Sequence, residues 1–308
     1  MSKILFIPDV HLQEYSPRSR KDNYPSVVLE KLEWVADYAN KIKATTIFLG
    51  DIFNAVNMPM IYMYRCIEVF RKFDKVPFTV IGNHDVPRNN QELMDRSPLG
   101  LLEKVGLINY LQHLEMEGRV VLEGFHYTQA IAQTEQLTST ITPMKKICVA
   151  HVFYENPFLQ DHNLTAQDCV KLGYDYYILG HDHTKYETID VPGYKVFRIG
   201  SLTRGTANEN QMIRDTVSIL EYDTELDTFR EINVPCQPAR EVFKESIFQR
   251  KEENKINTQE VLDNLVFTSN DSIYDVLDSA EQTPEIKAIV EEYLQAAGIY
   301  REGIKCSI

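Results

Sequence analysis

Five apolar runs in this chain end the same way, in residues that bind metal or move protons. Ile4-Leu5-Phe6-Ile7-Pro8 leads into Asp9 and His11, Thr46-Ile47-Phe48-Leu49-Gly50 into Asp51, and Thr79-Val80-Ile81-Gly82 into Asn83-His84-Asp85. Ile147-Cys148-Val149-Ala150 leads into His151, and Tyr176-Tyr177-Ile178-Leu179-Gly180 into His181 and His183. A short apolar run bounded by glycine is the mark of a buried strand, and open α/β sheets gather ligands at the carboxyl ends of such strands. Gly-Asn-His-Asp alone reads as a turn, since Gly, Asn and Asp all favour one. Repetition makes a shared site the stronger reading.

The segments between the runs set the fold class. Strand 3–8, a helix near 26–43, strand 45–49, a helix near 59–73 and strand 77–81 form a βαβαβ series. That order implies parallel strands joined by right-handed crossovers. Val28, Leu32, Val35, Ala36, Ala39 and Ile42 would face the sheet from the first helix. Met60, Met63, Ile67 and Phe70 would do so from the second, its methionines serving as core filler. Residues 86–98 read as a polar surface loop carrying Arg88 and Arg96, which beside a phosphate site become candidates for substrate contact.

A helix from Pro98 to Val105 is followed by strands near 107–111, 119–123, 126–131 and 146–150. Helix 165–171, strand 174–179 and strands at 185–189, 194–199, 214–222 and 228–234 complete the series. The expected fold is α/β, a two-sheet β-sandwich flanked by helices. Composition shifts at Pro235–Pro238, so the expected division is a catalytic domain over 1–236 and a short C-terminal helical extension over 237–308. Thr283, Pro284 and Gly298 bracket a helix there, with Ile286, Ile289, Val290, Tyr293 and Leu294 along one stripe. The stripe reads equally as a tail packed on the main domain or as a docking surface for another chain.

Composition narrows the setting. The chain has 308 residues, 44% of them hydrophobic and 25% charged, as in an ordinary globular protein. No apolar run approaches the roughly 20 residues needed to span a bilayer. The start lacks a signal-peptide pattern, and Cys306 lies one place too late for a prenylation box. Five scattered cysteines read as reduced thiols, giving a cytoplasmic expectation. The net charge of −13 argues against tight, unaided DNA binding, which normally needs a basic face. It does not exclude a nuclease, because divalent cations invert the local field and a partner can supply basic surface.

Asp9, His11, Asp51, Asn83, His84, His151, His181 and His183 mix carboxylate, carboxamide and imidazole. That mixture suits Mn²⁺, Fe²⁺ or Zn²⁺, and it holds too many donors for one ion and about enough for two. A single catalytic zinc would leave most of them unexplained. Asp85 is expected to hydrogen-bond backbone or a ligand histidine, and Asp182 to point away from its histidine neighbours. His113, His126 and His162 lie off the strand ends and read as structural or surface residues.

The ordered set Asp9-Val10-His11, Gly50-Asp51, Gly82-Asn83-His84-Asp85, His151 and Gly180-His181-Asp182-His183 resembles the calcineurin-like metallophosphoesterase superfamily over residues 3–205. The resemblance implies one ion held by Asp9, His11 and His183 and a second by Asn83, His151 and His181, with Asp51 bridging. It also implies that His84 is a non-ligand imidazole that steadies phosphoryl oxygens or protonates the leaving group. Gly50-Asp51-Ile52-Phe53, Ser97-Pro98-Leu99-Gly100-Leu101-Leu102 and the stretch Tyr174 to His183 leading to Gly200-Ser201 look most like the Mre11/SbcD nucleases, including phage relatives.

That likeness implies a Mn²⁺-dependent DNA nuclease, with Fe²⁺, Zn²⁺ or Mg²⁺ as alternatives, in DNA repair, recombination or phage DNA metabolism. It further implies a Rad50/SbcC-like ATPase partner met by C-terminal helices, a homodimer, and the cytoplasm of a bacterial or phage-infected cell. One position departs: three residues after Asp51, where relatives have Asp or His to orient the catalytic imidazole, stands Asn54. An amide supplies no charge, so weakened or altered activity is expected. The rival readings are a stand-alone phosphoesterase acting on cyclic nucleotides, nucleotides or phosphoproteins, and a non-catalytic scaffold, which the complete ligand set opposes.

Overall fold

The apolar runs do become strands, and alternation along each of them builds two cores at once. The structure, a computed structural model, describes residues 2–129, 131, 144–157 and 162–249. Strands β1 (Lys3–Ile7), β2 (Thr45–Phe48), β3 (Phe78–Thr79) and β4 (Asn109–Tyr110) run parallel to their neighbours, and β13 (Val217–Asp223) and β14 (Thr228–Val234) extend the sheet antiparallel past β1. The second sheet has the order β11 (Ile189–Val191), β12 (Tyr194–Arg198), β10 (Tyr176–Gly180), β7 (Lys145–His151), β6 (Val120–Phe125) and β5 (His113–Met116). β8 (Phe153–Tyr154) and β9 (Asn163–Leu164) form a small separate pair.

Ile4 and Phe6 of β1 point between the sheets and meet Ile147, Val149 and Ile178 of the second sheet. Leu5 and Ile7 point the other way, into the layer beneath helices α1 (Tyr24–Ile42), α2 (Met60–Phe70) and α3 (Pro98–Lys104). On the far face of the second sheet, Cys148, Ala150, Tyr177 and Leu179 pack with Cys169 and Leu172 of α4 (Ala166–Leu172). Both faces of the central strands are therefore covered, which is why these strands are continuously apolar. The chain is a two-sheet α/β sandwich flanked by helices.

Three local expectations are corrected. α2 buries Tyr62, Met63, Cys66, Val69 and Phe70, whereas Met60 is 89% exposed. The buried stripe is rotated so that Tyr62 can reach the Pro25 carbonyl of α1, at 3.2 Å. The strand expected over 126–131 does not form in residues 126–129: β6 ends at Phe125, and the strand beside it is β5. The chain turns there because β3 is short and leaves Ile81 without a ladder partner. The Ile81 N–H donates to His126 Nδ1 at 3.0 Å and its carbonyl accepts from Tyr127 N–H at 2.9 Å. Residues 86–98 carry two 3₁₀ turns, Pro87–Asn89 and Gln91–Arg96.

Contacts divide the chain into Met1–Lys244 and Glu245–Ile308, eight residues beyond the compositional boundary. A one-turn helix α6 (Ala239–Val242), after the short α5 (Glu209–Met212), keeps Ala239, Val242 and Phe243 buried in the first unit. The helix expected over 284–297 lies outside the described residues. No described helix is long and apolar enough to cross a membrane. Cys66, Cys148, Cys169 and Cys236 are free thiols, and Cys306 lies outside the described residues.

Candidate metal centre

β1, β2 and β3 of one sheet and β7 and β10 of the other bring their carboxyl ends together, and glycine is what lets them close. A Cβ on Gly180 would strike the Leu49 carbonyl and the Asp9 carboxylate, and one on Gly82 would strike the side chain and backbone nitrogen of Asp51. His11, Asp51 and His181 hold left-handed backbone, with φ of 54°, 48° and 88°. Such strain persists only where surrounding bonds over-determine it. Here the Asp51 carbonyl accepts from Val10 and His11 N–H at 3.1 and 2.9 Å, and the Asp9 carboxylate accepts from His181 N–H at 3.1 Å.

The donor atoms fall into two groups that share one carboxylate. Atoms of Asp9, His11, Asp51 and His183 lie within 4.8 Å of one another, and so do atoms of Asp51, His151 and His181. Asp51 Oδ2 faces both, 3.8 Å from His11 Nε2 and 3.4 Å from His151 Nε2. Its other oxygen accepts from the His84 N–H at 2.9 Å. Asn83 Oδ1 lies 3.2 Å from His151 Nε2 and adds an oxygen to the second group. His151 Nδ1 donates to the Leu49 carbonyl at 2.7 Å, which fixes the tautomer and turns Nε2 inward.

The residues fit a pair of divalent cations. His11 Nε2 and His183 Nε2 are 2.8 Å apart, two ring nitrogens whose lone pairs repel unless a proton or cation lies between them. The buried Nδ1 of His11 has no hydrogen-bond partner among the described residues. Divalent ions held by these groups would neutralise phosphoryl oxygens and acidify water.

Electrostatics cut across the two donor groups, with one lowered and one raised imidazole in each. Burial raises the Asp9 pKa, but His151 and the His183 hydrogen bond outweigh it and hold the carboxyl below its usual range. Asp51 is likewise depressed, burial being overcome by His151 and His11. Burial lowers His151, yet Asp51 and Asp9 lift it to about 9. Burial dominates at His11 and His181, which fall to about 4 and about 3. Both carboxylates are thus kept ionised, and those two imidazoles neutral, as ligation requires.

The remaining expected residues lie around this centre. His84 is exposed, its ring in edge contact with His11 at 5.1 Å. Its Nδ1 lies 2.9 Å from the backbone carbonyl of Asn54, whereas the Asn54 side chain donates to Gln13 Oε1 at 2.7 Å. The amide expected to orient the imidazole therefore does not touch it; the main chain does. Asp85 accepts from Phe53 and Gly82 N–H, both at 3.0 Å, and burial followed by the Asp51 charge raises it to about 7. Arg88 is exposed on its 3₁₀ turn, and Asp182 caps the Thr184 N–H at 2.9 Å.

Aromatic groups beside the second donor cluster went unread in the sequence. Tyr127 stacks on His162 with ring centroids 3.9 Å apart and contacts His181 at 5.2 Å, and Phe153 meets His181 at 4.2 Å. The available signal was β6 itself, a further strand ending at the same edge. A cleft of about 320 Å³ opens on the other side, lined by His11, Gln13, Asn54, His84 and His183.

The family model of the calcineurin-like phosphoesterases matches residues 2–185, and the chain belongs to that family. It is similar over 98% of its length to the DNA double-strand break repair protein Mre11 of Saccharolobus solfataricus, at 22% identity and over 78% of that protein. Solved structures that resemble it include the following two. TT1561 of Thermus thermophilus has a TM-score of 0.47 and 13% identity, covering 76% of this chain and 99% of the other. A novel archaeal phosphodiesterase has a TM-score of 0.40 and 16% identity, covering 75% and 99%.

Proposed function

We propose that this chain is a Mn²⁺-dependent DNA nuclease that hydrolyses phosphodiester bonds. The observation that carries the reading is the pair of donor groups joined at Asp51 with the His84 imidazole exposed at their open side. Because a carbonyl can only accept, His84 Nδ1 carries the proton, which leaves Nε2 as the ring nitrogen to meet substrate. Protonated there, Nε2 stabilises the phosphoryl oxygens and then gives its proton to the departing alkoxide as the P–O bond breaks. The oxygen of water forms the new bond to phosphorus, and the proton it loses restores the imidazolium.

Similarity to an Mre11 protein across nearly the whole chain supports DNA as the substrate and a Rad50/SbcC-like ATPase as the partner. In this reading the catalytic domain spans 1–236 and the helical segment after it docks the partner. The net charge of −13 favours a second reading, a stand-alone phosphoesterase acting on nucleotides or cyclic nucleotides.

Incubation with Mn²⁺ and end-labelled single- and double-stranded DNA, beside a small phosphodiester and an Asp51→Asn control, separates the two. DNA degradation lost in the control is the expected result. Cleavage of the small diester with DNA left intact, even beside the ATPase, would transfer support to the second reading.

A further inference from the structure

A second cavity, of about 440 Å³, lies along α1 and shares no lining residue with the cleft at the metal centre. Its charged wall includes the buried cations Arg20, Lys31 and Arg204, which are 4%, 5% and 1% exposed, together with Asp22 and the exposed Glu30. Asp22 neutralises Arg20 through two bonds of 2.8 and 2.6 Å. Among the described residues, no carboxylate lies within ion-pair distance of Lys31 or Arg204, and Asp215 and Asp22 attract Arg204 only from further off. The Lys31 ammonium has three donors and, among the described residues, one acceptor, the Leu202 carbonyl at 2.9 Å. Arg204 bonds the carbonyls of Arg214 and Gln237, and its buried Nε has no partner among the described residues.

Buried charge without a counterion is unfavourable, and in a chain with a net charge of −13 these two cations are not a general surface property. Burial, and then repulsion from Arg204, Arg20 and Arg214, brings Lys31 down to about 7 against an opposing pull from Cys236. An anion in the cavity would reverse that balance. The volume falls in the range of small-ligand pockets, and Trp34 supplies a flat apolar wall.

We propose that this cavity binds a phosphate monoester, its dianion seated between Lys31 and Arg204 with Trp34 beside the ester group. Lysine meets the phosphate as a point charge and arginine through its directional N–H groups. The site is also tied to the metal loop: Leu202, which accepts from Lys31, donates its N–H to the Asp9 carbonyl at 2.9 Å.

Trp34 is the only tryptophan in the chain, so indole fluorescence reports on this cavity alone. The full chain, stripped of metal by chelation and dialysed, is titrated with inorganic phosphate and, separately, with dAMP under selective indole excitation. The expected result is a saturable change in emission that weakens by about tenfold or more in Lys31→Met, the loss typical of one charge-assisted bond. Cys236→Asp, which adds a further carboxylate to the wall without removing a cation, should weaken it as well. Asp51→Asn should leave it intact.

Tighter binding of dAMP than of phosphate supports the monoester, whereas a response to phosphate with none to dAMP overturns it in favour of the free ion. The proposal is overturned if neither ligand gives a saturable change at millimolar concentration, if both cavity variants bind like the wild type, or if Asp51→Asn abolishes the response.

Discussion

The imidazole of His84 is held by the main chain of Asn54: His84 Nδ1 lies 2.9 Å from the Asn54 carbonyl oxygen while the Asn54 side chain turns to Gln13. The residue type at position 54 is thereby uncoupled from imidazole orientation. Asn54→Ala should keep kcat within about threefold, while His84→Gln should lower it by about 10²–10⁴, the usual contribution of a positioned acid. Metal content should stay unchanged in both. Steady-state kinetics on a phosphodiester with parallel metal analysis checks this, and a loss in Asn54→Ala as large as that in His84→Gln would refute main-chain anchoring.

Gly82 gives room to Asp51. An added methyl would meet both the carboxylate and the backbone nitrogen of Asp51, whose own φ of 48° leaves no relaxed alternative. Gly82→Ala should therefore destabilise by about 1–3 kcal/mol, as overpacking does, and should weaken metal retention. Denaturant unfolding and metal content after dialysis test both halves. A variant with wild-type metal content and stability would show that the strand ends stand further apart.

Asp51 belongs to both donor groups, so its loss should differ in kind from the loss of Asp9, which belongs to one. Asp51→Asn should lower the occupancy of two ions and Asp9→Asn chiefly that of one, read as metal-to-protein ratio in Mn²⁺ titrations. Chelation of the loaded wild type should lower Tm by about 5–10 °C per ion held at a hundred times its Kd. Equal stoichiometry in the two variants would remove Asp51 from its bridging place.

Much of this site is legible in the sequence because parallel strands bury both faces and stop at one edge. Asp9, Asp51, Asn83, His151, His181 and His183 each follow an apolar run, and proximity along the sequence suffices to place them. What stays hidden depends on contacts between segments far apart in the chain. The pairing of His84 with a backbone carbonyl leaves no trace in residue identity, nor does the meeting of Lys31 with Arg204 across 173 positions. The burial of Tyr62 in place of Met60 turns on a rotation of α2 that a shared helical period does not fix. Similarly, the apolar pattern after Phe125 suggests a strand, whereas Ile81 recruits His126 out of any ladder.

His126 carries the pH dependence that follows from that recruitment. Its Nδ1 accepts from the Ile81 N–H, so the neutral ring is required, and burial lowers its pKa from 6.5 to about 4. Between those values the unfolded chain binds more protons than the folded one. Stability contributed by the neutral ring is therefore fully present above 6.5, declines as pH falls, and is lost below about 4. The difference in pKa corresponds to about 3 kcal/mol. His126→Asn retains an acceptor oxygen for the Ile81 N–H but does not titrate, so it should flatten this part of the acid limb while other carboxyl groups continue to titrate. Urea unfolding of wild type and variant at pH values across the window gives the comparison. Parallel curves would mean that His126 is protonated without penalty, and that the Ile81 hydrogen bond is not what keeps the strand end beside Asn83 in place.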